Sequence, residues 1–317
     1  MKLHHLRDLL AVAEKGSMNA AARHLGIAQP SLSRSIRDLE KELGVPLLDR
    51  RARGAVLTPM GALFARRATS AVGELRRGRD EIQQMQGDLH GSVVACISSL
   101  AHVALLPGAL KPFIQRYPGV QLHVIEGVYP VVESRLKSGA IDIYVGAAPE
   151  QGPAPELHLE KLFDNTRIVL ARKGHPLGKA QSLVDLIGAD WVTTSITDRP
   201  EAEFGAIFAR HHLPPPRLAL RAESALTWIT AVGFSDLLAI SPRQWADSPM
   251  LSHLIERVPV KETLAGPPIV MIRRSAVPPT PAAEHLCDLL RRVAVSELRR
   301  VMVFSTPAPA RGSRSPS

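Results

Sequence analysis

The sequence predicts a mainly α-helical N-terminal part, one long helix, and then an α/β part of two lobes that contains most of the chain. Three observations predict this fold class. A short helix pair precedes a basic, glycine-containing turn within the first 60 residues. An apolar seven-residue stripe follows, and strands alternate with helices from about residue 90. Because 317 residues are many for one core, two or three domains are expected.

Residues 17–42 have the pattern of two helices joined by a tight turn. Ser17 is a suitable N-cap for the first helix, and Gly26 allows the chain to turn. Pro30 falls in the first turn of the second helix, where proline is tolerated. Apolar residues of the second helix recur at spacings of four, three and four, at Leu32, Ile36, Leu39 and Leu43. The pattern indicates a helix-turn-helix, although by itself it leaves open an ordinary helix pair with a solvated polar face.

The start of the second helix would present side chains that reach phosphates and base edges in a major groove. These are Gln29, Pro30, Ser31, Ser33, Arg34 and Arg37. Residues 45–59 then place two short apolar pieces around a basic turn, which is typical of a two-stranded wing. Arg50, Arg51 and Arg53 would lie at its tip, against the DNA backbone. The excess of positive charge in this region agrees with DNA binding, since residues 1–90 carry 15 Lys and Arg against 10 Asp and Glu.

A helix is predicted from the Thr58-Pro59 cap to about residue 89. Its apolar positions fall seven apart at Ala68, Leu75, Ile82 and Leu89, with Ala71, Gly78 and Met85 three beyond the first three. A stripe of this length is more than a small winged domain can bury, so it predicts a two-helix dimer interface. The alternative, a helix lying on a membrane surface, would need more apolar and aromatic residues.

From residue 90 onward, strands and helices alternate in two units. The first unit has the order β-α-β-α-β, which indicates a mainly parallel sheet. The chain returns to it near residue 267, so lobe I covers about 90–163 and 267–305, and lobe II about 164–266. Residues 306–317 are polar and proline-rich and are expected to be disordered.

A ligand site is expected where the strands of the two lobes end, beside helix N-termini. Ser98 and Ser99 follow the first strand, and Val128 and Tyr129 follow the second. Thr197 and Phe204 follow a strand of lobe II. Hydroxyls and helix-end amides suit a carboxylate or sulfonate, and Tyr129 would add an aromatic wall. The alternative is that these hydroxyls only cap helices.

Several function classes are disfavoured by the sequence. Ser98-Ser99 lacks a Gly-x-Ser-x-Gly elbow, and the histidines and cysteines lack metal-ligand spacing. We therefore expect no enzyme activity, no cofactor and no metal. Cys96 and Cys287 are expected to be small buried side chains. The sequence has no apolar run of the length that spans a membrane, so a cytoplasmic protein without membrane contact is expected.

The first 60 or so residues resemble the winged helix-turn-helix of LysR-type transcriptional regulators. The residues that carry the resemblance are Leu6 to Leu10, Gln29 to Ile36 and Leu57 to Pro59. Leu48 stands where the family usually has phenylalanine, and it fills a similar apolar role. Residues 174–177, Gly-His-Pro-Leu, resemble a turn of the family's effector domain, so the resemblance covers nearly the whole chain.

The resemblance implies a DNA-binding domain at 1–58, a dimerising linker helix at 59–89, and a periplasmic-binding-protein-like effector domain at 90–305. It also implies that Ser98, Ser99, Val128 and Tyr129 lie where relatives hold their effectors. Linker helices of the family pair antiparallel and dimers commonly form tetramers, so a homodimer and a homotetramer are expected. Such a dimer would read an interrupted palindrome on double-stranded DNA.

The function so implied is that of a nucleoid-associated regulator, with activation among its expected roles and RNA polymerase as a further candidate partner. Its effector is expected to be a small organic anion, with a sugar or sugar acid as the alternative. A constitutive architectural DNA-binding protein is the second hypothesis. It is disfavoured because a two-lobed domain of about 215 residues has no role in coating DNA.

Overall fold

The structure is a computed structural model that describes residues 1–51, 54–87, 89–129, 131–194 and 200–304. Its helices are α1 (Leu3–Lys15), α2 (Met18–Leu25), α3 (Gln29–Leu43), α4 (Pro59–Met85), α5 (Ser99–Ala104), α6 (Leu106–Arg116), α7 (Glu133–Lys137), α8 (Pro200–Ala209), α9 (Ala225–Phe234), α10 (Gln244–Asp247) and α11 (Pro281–Phe304). Its strands are β1 (Leu48–Arg51), β2 (Gly54–Leu57), β3 (His90–Ile97), β4 (Gly119–Glu126), β5 (Ile143–Ala147), β6 (Leu157–Phe163), β7 (Thr166–Arg172), β8 (Asp190–Thr193), β9 (Arg217–Arg221), β10 (Ala239–Pro242), β11 (Ile255–Val258), β12 (Leu264–Ala265) and β13 (Ile269–Arg274).

Helices α1 to α3 and the hairpin β1–β2 form the N-terminal domain around one apolar core. Ser17 caps α2 as predicted, since its hydroxyl accepts a hydrogen bond from the Ala20 amide at 3.4 Å. Gly26 then ends α2 with a left-handed φ of 66°, a conformation that glycine adopts without strain. The Glu40 carboxylate accepts the amide of Leu47 at 2.8 Å and so ties the end of α3 to the start of the wing. These contacts establish a winged helix-turn-helix.

The long helix α4 begins where the sequence predicts and ends four residues earlier than predicted. Thr58 caps it by accepting the Gly61 amide at 2.9 Å. The first half packs on the winged domain, where Ala65 and Ala68 are buried. The second half packs on β3 and α11 of the C-terminal part. One helix therefore touches both domains.

Lobe I is built on a five-stranded sheet in the order β4-β3-β5-β13-β6. Its first three strands pair in parallel, as the β-α-β-α-β pattern predicts. Strands β13 and β6 join antiparallel, so the prediction of a mainly parallel sheet is correct only for that first part. The direction of β13 was not predictable because a run of buried apolar residues reads the same in either direction. Helices α6 and α11 cover one face of the sheet.

Lobe II contains an antiparallel sheet in which β10, β11 and β12 all pair with β7. A separate parallel pair, β8 and β9, adjoins it. Two apolar cores lie within this lobe, and Val103 of lobe I packs against one of them. The lobes are therefore in direct contact.

The chain crosses between the lobes twice, at Asp164-Asn165 and near Gly266. The Gly266 amide donates to the carbonyl oxygen of Asn165 at 3.0 Å and joins the two crossings. Within the described ranges, no helix is long and apolar enough to cross a membrane. Residues 306–317, which the sequence predicts to be disordered, lie outside the described residues.

Candidate effector cavity and nucleic-acid interface

The start of α3 presents a polar surface to solvent. Gln29, Pro30, Ser31, Arg34 and Arg37 are all exposed, as a groove-reading face requires. The opposite side carries Leu32, Ile36 and Leu39, which are fully buried. An exposed polar face on a helix held by its apolar side has the geometry for entering a major groove.

Ser33 does not belong to this surface, and its placement on the outward face was wrong. The side chain of Ser33 is only 8% exposed, and Ser35 is similarly buried. At about 100° per residue, both serines fall on the flanks of the apolar stripe. The backbone carbonyl of Ser33 accepts the Arg37 Nε at 3.2 Å, which holds Arg37 along the helix.

The wing is present as the antiparallel pair β1–β2. Arg50 and Arg51 belong to β1, where they pair with Ala55 and Gly54. Their side chains, and Arg53 altogether, lie outside the described residues. The roles of the three arginines in DNA binding remain predictions.

A cavity of about 100 Å³ lies between the two lobes. The ends of β3 and β5 and the start of β13 meet its lobe I side, and β7, β8 and β10 meet its lobe II side. From lobe I and the second crossing, the lining residues are Ser98, Ser99, Leu100, Val128, Ala147, Pro267 and Ile269. From lobe II and the first crossing, they are Asn165, Arg167, Thr193, Thr194, Phe204, Trp228, Ile240, Ser241, Pro242 and Trp245.

Arg167 is the one charged side chain among these described lining residues. Arg167 was not predicted as a site residue, because the pattern of residues 167–170 indicates only a strand. The available signal was a cation at the second position after a lobe crossing. Hydroxyl groups of Ser98, Ser99, Thr193, Thr194 and Ser241 also line the cavity. A single guanidinium with several hydroxyls offers hydrogen bond donors to an anionic group.

Ser98 and Ser99 occupy different positions in the cavity wall. Ser98 is 7% exposed and caps α5, since its hydroxyl accepts the Ala101 amide at 3.4 Å. Ser98 therefore caps a helix and also lines the cavity. Ser99 is half-buried, and its hydroxyl makes no hydrogen bond within the described residues. Ser99 is thus the better placed of the two to meet a ligand.

Tyr129 does not line the cavity, so its expected place as an aromatic wall was wrong. Its ring packs against that of Tyr144, with centroids 5.9 Å apart, and its hydroxyl pairs with Glu133. Burial raises the pKa of Tyr129, and Glu133 raises it further. Burial also raises the pKa of Tyr144 to about 12, so both hydroxyls stay neutral. Tyr129 is buried in an apolar cluster of lobe I that also contains Cys96 and Tyr144.

The aromatic wall comes from lobe II instead. Phe204, a residue that the sequence predicts to bind the effector, lines the cavity and packs edge-on against Trp191, with ring centroids 5.6 Å apart. Trp228 and Trp245 also line the cavity, with their ring centroids 4.8 Å apart. Thr197, the other predicted residue of this lobe, lies outside the described residues. Three aromatic side chains near one cation suit a ligand with an apolar or ring-shaped body.

Asn165 adds a polar group that the sequence did not single out. It is 7% exposed, and its amide oxygen has no hydrogen bond partner among the described residues. A buried amide oxygen without a donor is costly. Asn165 thus combines a place in the cavity lining with a buried amide oxygen that has no partner among the described residues.

The described residues give little support to a metal site or to a reactive thiol. Among the described residues, no group of three or more His, Cys, Asp or Glu is placed to hold a metal ion. Cys96 and Cys287 are fully buried, as predicted. Burial raises the pKa of Cys96 to about 11 and that of Cys287 to about 12, which keeps both as unreactive thiols.

The apolar stripe of α4 lies open. Leu75 and Ile82 are each 59% exposed, and Met85 is 76% exposed. Side chains of this kind on one long helix mark an interaction surface. The heptad spacing continues to favour a second helix as its cover.

Comparison with known proteins identifies the family. Residues 3–62 match the model of the bacterial regulatory helix-turn-helix protein, lysR family, and residues 86–295 match that of the LysR substrate binding domain. The chain belongs to the LysR family of transcriptional regulators. The winged helix-turn-helix and the two-lobed substrate-binding domain described above are its two parts.

Named relatives of this LysR-type regulator are themselves transcriptional regulators. The HTH-type transcriptional regulator GbpR of Azospirillum brasilense is 25% identical over 97% of this chain and 91% of the relative. TdcA of Escherichia coli is 27% identical over 83% of this chain and 84% of the relative.

Solved structures agree in fold with this LysR-type regulator. CbnR, a LysR family regulator, is 23% identical with a TM-score of 0.68, over 93% of this chain and 99% of CbnR. Full-length BenM is 26% identical with a TM-score of 0.53, over 98% of this chain and 100% of BenM. CbnR has also been solved with its target DNA, at 22% identity and a TM-score of 0.67, over 92% of this chain and 100% of that one.

Proposed function

We propose that this LysR-type regulator controls transcription in response to a small organic anion held between its lobes. The observation that carries the proposal is Arg167, a cation in a cavity of about 100 Å³ whose other lining residues are hydroxyl-bearing, aromatic and aliphatic, together with the amide of Asn165. A carboxylate or sulfonate would accept hydrogen bonds from Arg167 and Ser99. The ligand's apolar part would lie against Phe204, Trp228 and Trp245.

The alternative ligand is a sugar or a sugar acid. The hydroxyl-bearing residues of the lining favour it, because sugar hydroxyls both donate and accept hydrogen bonds. The aromatic rings suit both, and Arg167 favours a sugar acid over a neutral sugar. The charge of the ligand therefore separates a neutral sugar from the anionic candidates.

DNA recognition is assigned to the exposed start of α3. Arg34 and its neighbours would read base edges, and Arg50, Arg51 and Arg53 would contact phosphates. Two copies joined through the Leu75–Met85 segment of α4 would present two recognition helices to an interrupted palindrome. We further propose that two such dimers form a homotetramer and that the protein contacts RNA polymerase during activation. Its place of action would be the nucleoid in the cytoplasm.

The proposal is tested by thermal unfolding with a panel of benzoate, benzenesulfonate, gluconate and glucose. A ligand at 100 times its Kd stabilises the folded state by about 2.7 kcal/mol, so binding is easily detected. We expect stabilisation by an anion in the wild type, loss of it in Arg167→Met, and partial retention in Arg167→Lys. Stabilisation by glucose alone, unaffected by Arg167→Met, would establish the sugar alternative.

A constitutive architectural role is tested by footprinting on genomic fragments that the protein selects. A ligand-responsive regulator protects a few sites and changes its footprint when a stabilising anion is added. Protection without sequence preference, unchanged by any anion, would contradict the proposal and favour the architectural role.

A further inference from the structure

One side chain of α3 holds the start of the wing. Oε1 of the Glu40 carboxylate accepts the amide of Leu47 at 2.8 Å and that of Leu48 at 3.1 Å. Leu47 is fully buried and Leu48 is 7% exposed. Backbone amides in such surroundings need an acceptor, because a buried amide without one is costly. Glu40 therefore satisfies two backbone groups where β1 leaves the domain.

The second strand of the wing is held at a different place, the turn between α1 and α2. The amide of Ala55 donates to the carbonyl oxygen of Gly16 at 2.9 Å, and Ala55 belongs to the apolar core of the domain. Gly54 has a φ of 148°, and a Cβ there would collide with the same oxygen of Gly16. Strand β2 is thus seated on the domain without the help of Glu40.

The wing is too short to set its own direction. Strands β1 and β2 have four residues each, and four residue pairs join them. At their base, the Thr58 amide donates to the carbonyl oxygen of Leu47 at 2.9 Å, which joins the two strands to each other. An isolated hairpin of two strands is at best marginally stable in water. The direction of the wing therefore depends on contacts with the helices, and Glu40 supplies the contact with α3.

Glu40 shares α3 with the side chains that are predicted to read bases. Arg34 is exposed near the start of this helix, and Glu40 lies about 9 Å further along it, at 1.5 Å per residue. Leu32 and Ile36 are fully buried and hold the helix on the domain core. Because the helix is continuous, the start of β1 has a fixed position relative to the reading face.

We propose that Glu40 is a positioning residue for DNA binding, which sets the wing relative to the reading face of α3. The inference rests on the proposed function, in which Arg34 reads base edges while Arg50, Arg51 and Arg53 contact phosphates. With β1 held on α3, one docking of the domain brings both kinds of contact to the DNA. A wing that is ordered before binding also loses less conformational entropy when it meets the phosphates.

Removal of the Glu40 carboxylate acts on the wing rather than on the reading face. The amides of Leu47 and Leu48 lose their acceptor, so the start of β1 shifts until water reaches them. The apolar contacts of Leu32 and Ile36, which hold α3, stay in place. The expected result is a folded domain that reads its site but has lost phosphate contacts.

The experiment measures the salt dependence of DNA binding by the full chain. Fluorescence anisotropy gives the affinity for a duplex that the wild type selects from a random pool, and for a random duplex, between about 50 and 200 mM KCl. Each phosphate contact adds about 0.9 to the steepness with which log affinity falls with log salt concentration.

Three variants are compared with the wild type. Glu40→Ala removes the acceptor, and its control Glu40→Gln loses the same charge but keeps an acceptor oxygen. The third, called the wing variant, combines Arg50→Gln, Arg51→Gln and Arg53→Gln and so removes the cations that are predicted to meet phosphates.

We expect Glu40→Ala to decrease the steepness by about 0.9–2.7 for each bound chain, which corresponds to one to three phosphate contacts. The preference for the selected duplex should remain, because the reading face is intact. Glu40→Gln should decrease the steepness less than Glu40→Ala. When Glu40→Ala is added to the wing variant, no further decrease should follow, since both changes act through the same arginines.

Several outcomes would overturn the proposal. A lower melting temperature of Glu40→Ala with the steepness of the wild type would show a purely structural role. A further decrease in the combined variant, or equal decreases in Glu40→Ala and Glu40→Gln, would assign the effect to something other than the position of the wing. Wild-type steepness in the wing variant would refute the phosphate contacts of the proposed function, and this inference with them.

A second substitution keeps the test decisive if Glu40→Ala does not fold. Glu40→Asp retains the charge, but its carboxylate is one carbon further from the amides of Leu47 and Leu48. We expect it to decrease the steepness by at least about 0.9 for each bound chain. Wild-type steepness in a folded Glu40→Asp would then overturn the proposal.

Discussion

The amide of Gly266 donates to the carbonyl oxygen of Asn165 at 3.0 Å, and the Asn165 side chain lies directly against Gly266. The two residues belong to the two crossings between the lobes, and Asn165 and the neighbouring Pro267 line the cavity. A Cβ at position 266 would lie 2.6 Å from Asn165 Nδ2. The hinge between the lobes and the ligand cavity therefore share one closely packed contact.

Gly266→Ala should displace Asn165 and lower the free energy of unfolding by about 1–3 kcal/mol, the usual cost of overpacking. Chemical denaturation measures this. Gly205→Ala is the matched control in lobe II, since a Cβ there makes only an ordinary contact, 3.8 Å from Pro215. Equal stability of Gly266→Ala and wild type would show that the hinge is looser than this packing implies.

Ser99→Ala should weaken the binding of an anionic ligand without affecting folding or DNA binding. A hydrogen bond to a charged group contributes about 1.5–3 kcal/mol, so affinity should fall about ten- to a hundredfold. Calorimetric titration with an anion that stabilises the wild type measures the change. Val184→Ala, on an exposed turn of lobe II, is the control. Equal affinities would place the ligand against lobe II, around Phe204.

The double change Leu75→Glu, Ile82→Glu should separate the chains while leaving each chain folded. Both side chains are 59% exposed in a single chain, so charges there are costly only when a second helix covers them. A cost of about 3 kcal/mol raises the dimer dissociation constant more than about a hundredfold. Light scattering should then find a smaller mass than that of the wild type, whose single chain has a mass of 34.4 kDa.

Val184→Glu is the control for that experiment, because Val184 is 56% exposed in lobe II, away from α4. It should leave the mass unchanged. An unchanged mass of the α4 double variant would place the dimer interface elsewhere.

Arg34→Ala should weaken binding to a selected DNA site by about 1–3 kcal/mol, the contribution of a good base contact. Its side chain is exposed at the start of α3, where a groove would lie. Fluorescence anisotropy on the selected site and on a random duplex separates base reading from phosphate contact. Arg79→Ala, on α4, should change neither affinity. Equal losses on both duplexes would make Arg34 a phosphate contact.

His285 should make the protein less stable in mild acid. Burial lowers its pKa below the ordinary 6.5, and Arg116 lowers it further. The unfolded chain therefore takes up this proton first, so the stabilising contribution is complete above pH 6.5 and is lost as the pH falls through the unfolded value towards the folded one.

Melting temperatures measured between about pH 7.5 and about pH 5.5 test this, because these limits lie about one unit above and below the ordinary pKa of histidine. His285→Gln should decrease the acid-induced loss, whereas His24→Gln, on the exposed surface of α2, should not. A loss of the same size in His285→Gln would assign the pH dependence to other groups.

The sequence by itself determined the helix-turn-helix, the linker helix and the sequence order of the two lobes. These features rest on local signals, such as the Ser17 cap, the turn at Gly26 and the spacing of Leu32, Ile36 and Leu39. Helix periodicity and capping depend on neighbours in sequence, so they can be read without the rest of the fold.

Only the tertiary structure decided which side chains face the cavity. Arg167 lines it and Tyr129 does not, although Tyr129 follows a strand end as the rule for open sheets requires. Ser33 is buried while Arg34 beside it is exposed. Each outcome depends on how a strand end or a helix is rotated against a distant partner, such as Tyr144 packing under Tyr129. That rotation is fixed by long-range packing, which local sequence patterns do not contain.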